Sequence, residues 1–102
     1  NMFVFEYIVT MDVRSVQRFI RDCDPRDIVL ALKGSNHEVA EKLYANMSER
    51  MAQSIQDDLE ITTNVRLKDA EEAQQRIVGI IRGLEEKGEL IIIKGGKDDI
   101  IA

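Results

Sequence analysis

Four side chains able to cap a helix, Asp12, Asp24, Asn36 and Ser48, each stand directly before apolar residues at helical spacing. An N-cap oxygen accepts a hydrogen bond from a first-turn backbone N–H that has no partner inside its own helix, so such a residue marks where a helix begins. After Asp12, the residues Val16, Phe19, Ile20 and Cys23 fall on one helical face. Asp24-Pro25-Arg26-Asp27 joins a cap, a proline suited to the first helical position, and an acid in the first turn. The helix it starts should bury Ile28, Leu32 and Ala31 and stop at Gly34, read as a left-handed C-cap. Lys33 lies in its last turn, where the macrodipole favours a cation, and that alone is a sufficient structural reason for a lysine. Asn36 opens a further helix with Val39, Ala40, Leu43 and Tyr44, which the chain leaves at Asn46.

The segment from Ser48 to Thr62 is the one the remainder supports. Met51, Ile55 and Leu59, with Ala52 beside them, form an inward row. Arg50, Ser54, Asp57 and Ile61 fall on the opposite side, with Gln53 close by and Asp58 on the flank toward Met51. Arg50 and Asp57 are two turns apart on one stripe, roughly 10 Å along the axis at ~1.5 Å per residue. A cation followed by an acidic pair suits an oppositely patterned partner. Mixed charge is also what the wet face of any amphipathic helix carries.

Thr62-Thr63-Asn64 breaks the pattern, and Val65-Arg66-Leu67 leads into the longest helical segment. Asp69 and Glu72 have capping-box spacing, with Asp in place of Ser or Thr. Ala73, Ile77, Ile80, Ile81 and Leu84 make a wide apolar stripe, and Gly88 ends the helix after Lys87. Gly79 and Gly83 each cost about 1 kcal/mol relative to alanine, marking either close packing of another helix or tolerated weakness. Leu90-Ile91-Ile92-Ile93 has strand character but no second strand to pair with, so a short extended segment packed on helices is expected. The stretch 94–102 reads as a frayed tail. At the other end, Met2-Phe3-Val4-Phe5 and the residues to Val9 form an apolar opening compatible with a strand or a buried helical turn. The fold class is all-α, a compact bundle of about six helices or a helical-repeat module, in a single domain 1–102.

Composition narrows the function. With 102 residues the chain can build one core and not two. Its 32% charged residues sum to a net charge of −5, which argues against nucleic acid, whose phosphates must be neutralised by Lys and Arg. No apolar run approaches the ~20 residues of a membrane span. The single cysteine, Cys23, excludes an internal disulfide and is compatible with a reducing cytoplasm. The opening Asn-Met-Phe reads as the later part of a longer protein. His37 has no second soft ligand near it in sequence, so no metal is expected. Asp57 and Asp58 point about 100° apart on a helix and do not converge on one substrate atom. Gly95-Gly96 lacks the following helix of a phosphate loop. Neither a cofactor nor enzymatic activity is expected.

Several phrases occur together: Met2-Phe3-Val4-Phe5, Arg14-Ser15-Val16-Gln17-Arg18, Leu30-Ala31-Leu32-Lys33-Gly34, Asn46-Met47-Ser48-Glu49-Arg50, Asp57-Asp58-Leu59, Val65-Arg66-Leu67-Lys68-Asp69 and Glu72-Ala73-Gln74-Gln75. In order and spacing they resemble, over essentially the whole chain, the C-terminal portion of the flagellar motor switch FliG family. The resemblance implies a six-helix armadillo-like subdomain whose charged ridge meets the cytoplasmic loop of the stator protein MotA. On that basis Lys33, Arg50, Asp57, Asp58 and Arg66 match the stator-facing charges, all with sign preserved. Met2, Phe3, Val4 and Phe5 match a hinge to the preceding armadillo repeat of the same or a neighbouring subunit, leaving 6–93 as the torque subdomain.

Further implications of the resemblance are a homo-oligomeric rotor ring, a place on the cytoplasmic face of the inner membrane in the basal body, and contacts with FliM and the membrane ring made mainly upstream. The chain departs from the family pattern at Thr63-Asn64, where Gly-Pro is usual, at Asp12-Val13, where two acids are frequent, and at Arg82-Gly83, where an Arg-Arg pair is usual. The first of these is expected to loosen the connection that positions Arg66. The alternative reading is a helical-repeat adaptor or a regulatory domain, such as the N-terminal domain of a magnesium transporter, which would need acid clusters able to hold Mg²⁺.

Overall fold

A computed structural model describes residues 5–90. Within them a 3-10 helix, Phe5–Thr10, precedes α1 (Val13–Asp22), α2 (Pro25–Lys33), α3 (His37–Ala45), α4 (Glu49–Ile61) and α5 (Leu67–Glu86). The all-α expectation holds, and no strand occurs among the described residues.

The four capping residues work as their chemistry requires. Asp12 Oδ2 accepts from the Ser15 N–H at 3.3 Å, Asp24 Oδ1 from Arg26 N–H at 2.9 Å, Asn36 Oδ1 from Val39 N–H at 3.0 Å and Ser48 Oγ from Met51 N–H at 3.1 Å. Asp12 also accepts the Ser15 hydroxyl at 2.6 Å, and this bond above all holds the Asp12 carboxyl below its ordinary range. Successive caps stand twelve residues apart, so cap, helix and connection repeat at one length from Asp12 to Ser48. Helices of nine or ten residues are marginal alone in water, and their stability comes from what they pack against.

That support is α5, 20 residues long and therefore about 30 Å. It packs most extensively on α2 and also touches α1 and the 3-10 helix; α2 in turn carries α4, and α3 rests on the 3-10 helix. One apolar cluster runs from Phe5 to Leu90. Val16, Phe19, Ile20, Cys23, Ile28, Ala31, Leu32, Val39, Leu43, Ile55, Ala73, Ile77, Ile81 and Leu84 are all buried, as their spacing predicts. Met11, Val29, Ala70 and Val78 join them from positions that periodicity did not mark. The ambiguous opening is a 3-10 turn that buries Phe5 and Ile8, three residues apart. Met2–Val4 lie outside the described residues, as do Ile91–Ile93 and the expected tail; Leu90 is buried.

Helices α2 and α5 run antiparallel, and three contacts give their register. Gly34 faces Ala70, the Ala31 carbonyl accepts from Gln74 Nε2 at 3.0 Å, and Asp27 pairs with Arg76 at 3.0 Å. Gly34 ends α2 as expected but for a different reason. Its φ of −107° is not left-handed, and a Cβ placed there would stand 2.8 Å from the Ala70 Cβ. The position needs glycine because another helix crosses it.

The expected capping box also gives way. Helix α5 starts at Leu67, with Arg66 at the N-cap position making no side-chain cap bond, and Asp69 falls within the first turn. The acid still faces the favourable end of the macrodipole there. At the far end the expectation for Gly88 is met: its φ is +78°, and Gly88 N–H donates to Glu85 O while Glu89 N–H donates to Leu84 O, the paired bonds of a Schellman stop.

Gly79 and Gly83 mark no close helix packing, since a Cβ at either would meet nothing within 4 Å. Gly79→Ala and Gly83→Ala should each stabilise the fold by about 1 kcal/mol, because helical glycine loses more backbone freedom than alanine. In a domain of this size each should raise the melting temperature by roughly 4–8 °C. A melt that does not move would refute the assignment of open space.

Candidate functional site

Helix α4 has the simplest cross-section in the molecule. Only Ile55 is fully buried, with Met51 and Leu59 packed partly against the core. The opposite side carries Arg50, Gln53, Ser54 and Asp57, all exposed, and ends at Ile61, which is 77% exposed. Gln53 Nε2 donates to Asp57 Oδ1 at 2.9 Å, which fixes one oxygen of that carboxylate along the stripe. Asp58 is half-buried on the flank. Its backbone carbonyl accepts both the N–H and the hydroxyl of Thr62, at 2.9 and 2.6 Å, closing the helix. Its side chain lines a cleft with Arg26, Val29, Ile61 and Thr62.

The other two expected charges come from different elements. Lys33 is the last residue of α2 and Arg66 the residue before α5, both exposed. Because Gly34 abuts Ala70, the end of α2 bearing Lys33 lies beside the first turn of α5. Arg66 precedes Ala70 by one turn, about 6 Å of helix axis. The antiparallel register thus brings Lys33 and Arg66 to one end of the α2–α5 pair, while Asp58 adjoins the first turns of α2 at the other. Arg50 and Asp57 share a stripe of α4, as their spacing predicts.

None of the five charges forms an ion pair with another described residue. Elsewhere the opposite is true. Arg18 is held by Glu89 and by Asp22 at 3.1 Å, and Arg76 by Asp27 at 3.0 Å. These partners keep both guanidinium groups above their ordinary range, chiefly Glu89 for Arg18 and Asp27 for Arg76. His37 is exposed and its Nε2 lies 2.8 Å from Glu41 of the same helix, a pair that is ionic only when the imidazole is protonated. No group of three His, Cys, Asp or Glu side chains able to hold a metal occurs among the described residues. Cys23 is buried in the core, and burial pushes its thiol up to about 12.

Sequence reasoning missed one charged neighbour. Arg26 was accounted for only as part of the start of α2, yet it shares a cleft with Asp58. No periodicity within α2 or α4 encodes that meeting. The connection 62–66 also has a feature tied to the departure at Thr63-Asn64: Asn64 has φ +60°, a left-handed conformation that asparagine tolerates better than most residues. Among the described residues no helix is long and apolar enough to cross a membrane.

Comparison with known proteins completes the picture. A sequence model described as the FliG C-terminal domain matches residues 1–92. Over 101 residues the chain is 53% identical to the flagellar motor switch protein FliG of Thermotoga maritima and 54% identical to that of Bacillus subtilis, in each case covering 99% of this chain and 30% of the relative. A crystal structure of a FliG fragment from H. pylori superposes with a TM-score of 0.83 at 34% identity, covering 86% of this chain and 39% of that one. The full-length FliG structure from Aquifex aeolicus gives a TM-score of 0.80 at 30% identity, covering 84% of this chain and 27% of that one. The chain therefore spans about 30% of the length of these curated relatives. By sequence and by shape, the chain belongs to the FliG C-terminal domain family.

Proposed function

We propose that this chain is the torque-receiving part of a flagellar rotor switch protein, and that the α4 stripe with its neighbours engages the cytoplasmic loop of the stator protein MotA. One observation carries the reading. Arg50, Asp57 and Asp58 on α4, Lys33 at the end of α2 and Arg66 just before α5 make no ion pairs within the described chain. Exposed charges without an internal ion-pair partner are available to a passing surface of complementary pattern. Exposed ion pairs are typically worth about 0–1 kcal/mol each, a strength suited to contacts that form and release at every step.

The same reading places the domain at the cytoplasmic face of the inner membrane, in a ring of identical subunits, with no catalysis of its own. Met2, Phe3, Val4 and Phe5 then serve as the hinge to the preceding armadillo repeat. FliM and the membrane ring are met mainly by upstream regions. Membership of the family displaces the magnesium-transporter alternative.

Cross-linking in cells tests the contact. An Asp57→Cys variant of the full-length rotor protein, paired with single cysteines along the MotA loop, should give disulfide adducts at a subset of loop positions on oxidation. Native Cys23 leaves the background low, because a buried thiol held near 12 is neither accessible nor ionised at neutral pH. A control cysteine at exposed Glu41 on α3 should give none. Equal adducts from both positions, or none from Asp57→Cys, would remove the support for this reading.

A further inference from the structure

The end of α2 that carries Lys33 is held from outside its own helix. The last four carbonyls of a helix have no intrahelical donor, so their partners come from elsewhere. The Ala31 carbonyl accepts from Gly34 N–H at 3.2 Å and from Gln74 Nε2 at 3.0 Å, and the Leu32 carbonyl accepts from Ser35 N–H at 3.1 Å. The two backbone bonds are local and close the helix. The Gln74 bond is different, because it comes from α5, 43 residues away in the chain, and is partly buried. Gln74 is itself half-buried, whereas Gln75 beside it is exposed. Gly34 leaves room for the amide, whose nitrogen stands 3.4 Å from where a Cβ at that position would be. Lys33, two residues beyond Ala31, forms no ion pair with a described residue, so the place of its charge follows from the turn that bears it.

We infer that Gln74 is a positioning residue for the stator contact: its amide, bonded to the Ala31 carbonyl, fixes the last turn of α2 against α5 and so sets where the Lys33 ammonium meets the partner. The inference rests on the stator reading above and deepens it, adding to the five charges a neutral side chain that itself touches no partner. Helix ends fray, and a short helix has few bonds to prevent it. A cation on a frayed turn samples many positions and loses that freedom on binding, which lowers affinity. A turn already ordered by α5 has less to lose. Arg50 stands in the first turn of α4, remote in the chain from both ends of this bond. Loss of the Gln74 amide should therefore act through Lys33 and leave the contribution of Arg50 unchanged.

A double-mutant cycle on binding separates this role from simple stabilisation. Binding of the purified MotA cytoplasmic loop to the full-length rotor protein is measured at about 0.05 M salt, where surface charges are weakly screened. Lys33→Met should weaken binding about fivefold, the upper end for an exposed pair. Gln74→Met should weaken it about threefold, and the two together no more than Lys33→Met alone. Gln74→Met combined with Arg50→Met should instead give the product of the single effects. Gln74→Leu repeats the test with a different shape in place of the amide. Arg76→Met, which breaks the Asp27 pair at the same helix crossing, should leave the affinity unchanged. The helical circular-dichroism spectrum should persist throughout. Wild-type affinity in both Gln74 variants, a loss that multiplies with that of Lys33→Met, an equal loss in Arg76→Met, or unfolding of both Gln74 variants would each refute the positioning role. If Lys33→Met binds like wild type while Asp57→Lys with Asp58→Lys fails to bind, the positioning role is refuted and the stator reading stands on α4. If that acid reversal binds like wild type, or wild type does not bind, the stator reading itself falls and the positioning role with it.

Discussion

Asp57→Lys and Asp58→Lys made together in the full-length rotor protein should reduce swimming to a small fraction of the wild-type speed, with the domain still folded. The double change replaces two negative charges by two positive ones on a helix that already carries Arg50, so a segment attracted before is repelled afterwards. At contact distance near a protein surface a unit pair is worth about 4 kcal/mol before desolvation and entropy are counted, and most of that cancels in an ordinary exposed pair. Reversal changes the sign of the interaction rather than its size, which is why its effect should exceed that of neutralisation. Asp57→Asn with Asp58→Asn should fall between the double lysine variant and wild type.

The structural control is specific. Asp57 gives up a bond from Gln53, and a lysine at position 58 would stand in the same cleft as Arg26. A change at exposed position 57 usually stays within about 0.5 kcal/mol of neutral, and half-buried position 58, at the end of a surface helix, adds only a modest cost. The helical circular-dichroism signal should persist and the melt should shift by only a few degrees, about what such a difference allows. Normal swimming would exclude the acids from torque transfer, and a lost helical signal would make the defect one of folding.

The second large effect lies at the crossing of α2 and α5. Gly34→Ala should destabilise the domain by about 1–3 kcal/mol, the usual penalty for forcing a methyl group into a filled interface. The new Cβ meets the Ala70 Cβ at 2.8 Å, and neither atom is the end of a flexible chain that can swing away. The helices must separate, and the Gln74 amide, 3.4 Å from the same point and bonded to the Ala31 carbonyl, is displaced with them. At roughly 4–8 °C per kcal/mol the melting temperature should fall by several degrees or more.

Ala70→Gly should partly rescue the variant by removing the opposing methyl, although glycine in α5 itself costs about 1 kcal/mol. The informative quantity is the coupling: the double variant should be more stable than the sum of the single changes requires. Additive effects would show that Gly34 serves only as a helix terminator. Gly79→Ala, a change inside α5, should move stability the other way, because open space lies where its Cβ would go.

These two glycines show where the reach of the sequence ends. Caps, helical periodicity and glycine stops are local: each depends on residues within a turn or two, so Asp12, Asp24, Asn36 and Ser48 could be read as helix starts, and Gly88 as a left-handed stop, before any coordinates. Apolar spacing likewise named most of the core, and helical numbering put Arg50 and Asp57 on one stripe. The resemblance to a known family supplied Lys33 and Arg66, which no local pattern connects to α4.

Tertiary structure decided the rest, because it depends on pairs far apart in the chain. That Gly34 is needed for a crossing and not for its φ follows from Ala70, 36 residues later. That α5 starts after Arg66, with no side-chain cap bond, and takes Asp69 into its first turn was not written in the capping-box spacing. Arg26 reaches the cleft of Asp58 only because α4 folds back along α2. Short-range hydrogen bonding and side-chain periodicity are written residue by residue, whereas which surfaces meet is settled by the whole set of helices burying their apolar faces together.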